Sequence, residues 1–429
     1  MVAVVVVILV LVLGSLAPRP EFVAASSHQG IEILSDQWEI HFPDAITFSL
    51  TIESDAPIKQ VRLNYRNATD GPLAYSYAPF ELGEPVQNVT ASFRLSTTGS
   101  GYLPPGTVIQ YRYVIDDVLG NRLETPSKAI EYTDIRFNWK STEAGLVTLM
   151  HHDISQSRVD ALAKELQPEL YRVQRLLELN SNEPVTGFLY NGFDEAIPAF
   201  PYQSNTITEE QVFHGFAYPD SNVFLGIRLD RALIVHEASH LLLRQRLGPS
   251  STTIPSWLDE GFASHMEPNS RPYSGISLAP TSPPLRLMSG VSGSPQDIYR
   301  FYAKSESVIS YLIEKYGEES FQQFIASLSR SVAVEEALTI TYGFDIDELD
   351  LLWSESSHGI LSTGSERVST GPPSVLLYLD TWLFGGLILL AVAAVAVRYV
   401  WGKLNPTMYN EDGWDDELDE VLEDYDERS

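Results

Sequence analysis

The chain has 429 residues, with 28 Lys and Arg against 57 Asp and Glu, for a formal net charge of −29. Nucleic-acid binding needs clustered cations to displace counterions, and this balance argues against it. The composition, 44% hydrophobic and 20% charged, supports a sizeable core, and the absence of cysteine excludes disulfides, thiolate metal sites and cysteine nucleophiles.

Val2 to Leu13 is an unbroken apolar run. It is short for a bilayer span, which needs about 20 residues, and it fits a secretory h-region. Residues 1–25 therefore read as a signal peptide cleaved before Ser26. The n-region lacks Lys and Arg, which leaves an uncleaved anchor as the alternative.

Residues 26–140 read as an all-β, sandwich-like domain. Apolar residues alternate with period two in Ala45–Ile52, Val61–Tyr65 and Val108–Ile115, and turn signals stand at Asp70-Gly71, Pro104-Pro105-Gly106 and Leu119-Gly120-Asn121. No chemistry is visible there, so a binding or spacer module is the default.

Residues 141–355 read as an α+β domain. Ser157 to Leu179 has apolar residues at three and four, with Pro168 set to kink or split that helix. Val185–Leu189 reads as a strand. Arg231–Arg246, a segment from Pro255, Ile298–Tyr316 and Glu319–Ser327 read as helices. A Gly-, Ser- and Pro-rich linker covers residues 356–379.

Residues 380–401 form a long apolar segment flanked by Trp382, Tyr399 and Trp401, with Arg398 and Lys403 placing its C-terminal side in the cytoplasm. A buried core helix is the alternative. The tail, residues 402–429, holds eleven acids and one Arg from Glu411 onward, with Trp414, Leu418, Val421, Leu422 and Tyr425 at helical spacing. It reads either as a solvated acidic tail or as a docking helix for a cytoplasmic partner. The expected topology is a single-pass protein of the cell membrane, with its ectodomain outside.

His236-Glu237-Ala238-Ser239-His240 carries the chemistry. Two His at i and i+4 share one helix face and can point at one ion, with Glu237 beside them. Pro255-Ser256-Trp257-Leu258-Asp259-Glu260-Gly261 follows, placing Glu260 twenty positions after His240. A second helix starting near Pro255 would bring Glu260 to the same ion. Zinc in hydrolases takes three protein ligands and keeps a fourth position for water. His236, His240 and Glu260 form such a set for one Zn²⁺, and Glu237 is left as general base. Ser264 or Asp259 could orient a ligand His.

H-E-x-x-H followed by W-L-x-E-G at this spacing resembles the gluzincin zinc metallopeptidases, and most of all the bacterial peptidase MA-like domain. The segment Tyr302-Ala303-Lys304-Ser305 to Tyr316-Gly317 resembles a helix of that family. The β-rich part, ending Asp134-Ile135-Arg136-Phe137-Asn138-Trp139, resembles the N-terminal module that accompanies such domains. The resemblance implies an active-site helix under a small mixed sheet, a helical C-terminal part, and a peptide or protein substrate pairing along an edge strand within Val212–Leu225. It implies zinc on His236, His240 and Glu260, with Glu237 moving the proton of a zinc-activated water. It also implies an oxyanion donor from downstream, Tyr302 first and His265 second.

Three functions fit these features. The first is a membrane-anchored metallopeptidase facing outward. The second is a zinc-holding, non-catalytic surface binding or adhesion protein. The third is a receptor-like protein signalling through its acidic tail. An intact Glu237 favours the first, since a scaffold has no need of it.

Overall fold

The computed structural model describes residues 30–363 except 68–72, 79–87, 181–182, 203–212, 249–253, 269–281 and 292, and the side chains of 357–363. The signal-peptide, span and tail segments expected at 1–25, 380–401 and 402–429 lie outside the described residues, as do residues 364–379 of the linker expected at 356–379, whereas its first part, 356–363, is the end of a helix that runs Ile346–Thr363. Among the described residues no helix is long and apolar enough to cross a membrane.

Strands β1 (Ile31–His41), β2 (Ala45–Ser54) and β5 (Asn88–Ser96) form an antiparallel sheet in the order β1-β2-β5. Strands β3 (Ile58–Asn67), β4 (Ala74–Tyr77), β6 (Thr107–Asp117) and β7 (Arg122–Glu124) form a second sheet, with β8 (Lys128–Tyr132) also paired to β6. Period-two alternation explains how the sheets meet. Phe48, Leu50 and Ile52 turn to one face of β2 and share a core with Phe93, Val61, Leu63, Tyr111 and Tyr113. Phe48 lies 4.9 Å from Tyr111 and Phe93 lies 5.9 Å from Tyr113, ring centre to ring centre, so the sheets pack face to face.

A five-stranded mixed sheet follows. It comprises β9 (Lys140–Ala144), β10 (Val147–His151), β11 (Val185–Tyr190), β12 (Gly215–Tyr218) and β13 (Val223–Ile227), in the order β12-β13-β11-β10-β9. The β9–β10 and β12–β13 pairs are antiparallel and the inner pairs parallel. The helices are α1 (Gln156–Leu176), α2 (Arg231–Leu247), α3 (Ser256–Met266), α4 (Pro295–Tyr316), α5 (Glu318–Leu328), α6 (Val334–Tyr342) and α7 (Ile346–Thr363), with a single helical turn at Phe193–Ala196. One core joins Leu189 and Phe224 of the sheet to Val235, Ala238, Leu241 and Leu242 of α2. The helix that carries the H-E-x-x-H motif thus lies against a small mixed sheet, as the resemblance implies.

Pro168 neither splits nor ends α1. Losing one backbone bond costs about 3 kcal/mol. Val159, Leu166, Leu170, Val173 and Leu176 are buried along the same helix, each contributing about 1.5–3 kcal/mol. Burial outweighs the proline. The expected edge strand within Val212–Leu225 is shorter than that span: β12 is the edge, whereas β13 is interior.

The segment after β8 ties the β-rich part to the mixed sheet. Tyr190 on β11 donates its hydroxyl to Asp134 at 3.1 Å, Arg136 pairs with Asp134 at 2.6 Å, and the Trp139 ring lies 5.0 Å from that of Phe188.

Candidate metal centre and active-site cleft

Helix α2 begins at Asp230, whose carboxylate accepts from the Ala232 and Leu233 amides at 2.8 and 3.2 Å. It ends at Gly248, where φ is +75°. His236 and His240 stand one turn apart on it. Helix α3 begins after Pro255 and crosses against α4 at Gly261, where an added Cβ would collide with the Ser305 carbonyl oxygen. That close approach holds Glu260 over α2.

The three expected ligands converge. His236 Nε2 and His240 Nε2 are 3.2 Å apart, and Glu260 Oε2 lies 3.4 and 3.3 Å from them. Ligands on a tetrahedral ion at about 2.0–2.1 Å stand about 3.3–3.4 Å from one another. The triangle therefore has the dimensions of one tetrahedral face. Glu260 Oε2 is buried and makes no hydrogen bond, as expected of an atom whose partner is an ion. Among the described residues this is the one group of three such side chains that could hold a metal. The residues fit zinc.

The remaining ring nitrogens are held by carboxylates. His236 Nδ1 lies 2.9 Å from Glu267 Oε1, and His240 Nδ1 lies 2.8 Å from Asp259 Oδ1. Each contact fixes the imidazole and directs Nε2 inward. Of the two orienting candidates in the sequence, Asp259 takes the part. Ser264 is buried with no hydrogen-bond partner for its hydroxyl. Glu267 was not expected: it caps the C-terminus of α3, and no motif spacing marks it. Burial opposes charge on both imidazoles, yet the carboxylates prevail, pushing His236 up to about 9 and His240 well above its ordinary value. Burial likewise opposes ionisation of Glu260, but His240 and then His236 hold it well below the usual carboxylate range.

Glu237 faces the same cleft. It is buried, and loss of solvent pushes its pKa up to about 7. Edge strand β12 closes one side: a Cβ on Gly215 would stand 2.5 Å from Glu237 Oε1. The cleft, about 600 Å³, is lined by these residues with Phe213, Phe216, Arg244, Tyr299 and Tyr302. Tyr302 projects from α4 with its ring 6.2 Å from that of His236. His265 is not among the lining residues. It bonds Ser310 at 2.8 Å, and burial, followed by Arg172, lowers its pKa to about 4. Helical geometry explains this: His265 lies five positions past Glu260, on another face of α3.

Residues 166–359 match the model of the Peptidase MA superfamily, a span that takes in helices α2, α3 and α4 of the cleft. No curated protein matches the chain. Among solved structures, the chain is similar to a variant of an M1 zinc metallopeptidase from Deinococcus radiodurans, at 14% identity over 76% of this chain and 94% of that one, with a TM-score of 0.35. A two-domain M1 zinc metallopeptidase variant bound to L-arginine gives 13% identity over the same shares and a TM-score of 0.37. A family 56 carbohydrate-binding module, a β-1,3-glucan binding domain, gives 12% identity over 23% of this chain and 96% of that one, with a TM-score of 0.15.

Proposed function

We propose that this chain is a membrane-anchored, extracytoplasmic zinc metallopeptidase acting on peptide or protein substrates. One observation carries the reading: two helices bring three ligand atoms together at the spacing of a tetrahedral ion, and a fourth side chain, Glu237, faces the same cleft without belonging to that triangle. His236, His240 and Glu260 hold one zinc ion, with Asp259 and Glu267 fixing the rings. When bound, zinc supplies a Lewis acid that polarises a scissile carbonyl and acidifies water.

The chain's own residues do the rest. A substrate backbone pairs along the outer edge of β12, which keeps the scissile bond beside Glu237. Glu237, with its pKa raised by burial, accepts the proton of the attacking water and returns it to the leaving amine nitrogen. The Tyr302 phenol donates to the developing oxyanion. The β-rich part, taken as a domain of residues 26–140 ahead of a zinc domain of 141–355, presents substrate to the cleft. Residues 380–401 anchor the chain, and the acidic tail is available to a cytoplasmic partner.

The test is zinc content and peptide cleavage by the full chain and its Glu237→Gln variant. Both proteins should hold about one zinc, and the variant should cleave about 10²–10⁴-fold more slowly. Zinc binding without cleavage by either would favour a zinc-holding surface binding protein. Equal cleavage by both would remove Glu237 from the mechanism. Protease accessibility on intact cells tests the topology, since the ectodomain should be digested and the tail protected.

A further inference from the structure

A second chamber of about 600 Å³ adjoins the cleft. Both halves of the molecule build it. Phe42, Leu103 and Tyr132 come from the β-rich part, and Phe193, Ile197 and Phe200 from the segment after β11. No charged side chain stands among its described lining residues. Its size suits one or more bulky side chains.

The chamber and the metal cleft share part of their walls. Phe213 and Phe216 line both. An aromatic row leads inward: Phe213 to Phe216 at 5.7 Å, Phe216 to Phe200 at 4.8 Å, and Phe200 to Phe193 at 6.3 Å, ring centre to ring centre. Strand alternation explains the division. Gly215 and Ala217 face α2, the first against Glu237 and the second against the α2 core. Phe216 and Tyr218 therefore face the opposite way. Phe216 lines the chamber, and Tyr218 donates its hydroxyl to that of Tyr102 of the β-rich part at 3.0 Å, the Tyr102 hydrogen being held by the Ala199 carbonyl. A peptide paired along this edge alternates in the same manner, sending every second side chain toward the chamber.

We propose that the chamber is a specificity pocket of the same site, taking an aromatic or leucine-like side chain from a fixed position to one side of the scissile bond. The proposal rests on the peptidase reading above. Burying an ionised side chain in such a lining without a partner is strongly unfavourable, so Asp, Glu, Lys and Arg are excluded at that position.

The experiment compares cleavage of paired peptides, with Phe or Ala at each position in turn, by the full chain and by Thr98→Trp and Ile197→Asp. Thr98 and Ile197 are exposed residues on the chamber lining, so neither change disturbs the core. At one position the wild type should prefer Phe by roughly tenfold or more, and each variant should cut that ratio by about tenfold. The proposal is overturned if no position shows the preference, or if both variants slow the Phe and Ala peptides by the same factor. If no peptide is cleaved at all, the peptidase reading fails, and anisotropy with fluorescein-labelled peptides decides the pocket. Phe binding about tenfold tighter than Ala, lost in Thr98→Trp, keeps it as a peptide-binding pocket; equal binding overturns it.

Discussion

Asp259 and Glu260 are consecutive residues, yet they meet opposite nitrogens of one imidazole: Asp259 Oδ1 lies 2.8 Å from His240 Nδ1, and Glu260 Oε2 lies 3.3 Å from His240 Nε2. His236 is gripped in the same way between Glu267 and Glu260. The carboxylates on Nδ1 set which nitrogen carries the proton. Asp259→Asn and Glu267→Gln should each weaken zinc binding by about 10–100-fold while leaving the fold intact. Competition against a chelator of known affinity, with circular dichroism as the control, measures this. Wild-type affinity in both variants would remove the two carboxylates from the metal site.

Tyr302 and His265 are separated by the structure, one on the cleft wall and one bonded to Ser310. Tyr302→Phe removes only a hydroxyl. It should lower kcat by about 10²–10³-fold with KM little changed, the signature of a donor used in the transition state. A rise in KM alone would instead make Tyr302 a substrate-positioning residue.

Gly215 leaves the space that the Glu237 carboxylate fills. A Cβ there would stand 2.5 Å from Glu237 Oε1 and 2.8 Å from Leu233 Cδ1. Gly215→Ala should displace the carboxylate and cost about 10²-fold in kcat, with zinc content unchanged. Metal analysis beside steady-state kinetics separates this from loss of the ion.

The site was more legible in the sequence than its surroundings. The i, i+4 spacing of His236 and His240 survives folding because a helix converts it directly into shared direction, and Glu260 follows once α3 is recognised. The period-two runs at Ala45, Val61 and Val108 became β2, β3 and β6 for the same reason. Strand β9 escaped notice because Lys140–Ala144 is polar and mostly exposed, so its pairing shows no apolar alternation. Glu267 escaped because its position depends on how the chain turns after Met266, which is tertiary information. The chamber beside β12 also escaped, since Phe42 and Phe200 meet only when the two halves of the molecule pack together.

His265 gives the fold a specific acid sensitivity. Burial, with Arg172 nearby, lowers its pKa to about 4, against about 6.5 in an unfolded chain. Above pH 6.5 neither state holds the extra proton and the full stability is present. As pH falls from about 6.5 to 4, the unfolded chain takes up a proton that the folded protein refuses. This destabilises the native state by about 3 kcal/mol at the lower end. His265→Gln removes the titration. The stability of the wild type relative to the variant should therefore fall by about 3 kcal/mol between pH 7 and pH 4, measured by urea unfolding of the two proteins in parallel. A constant difference across that range would mean that His265 is solvated in the folded protein and titrates normally.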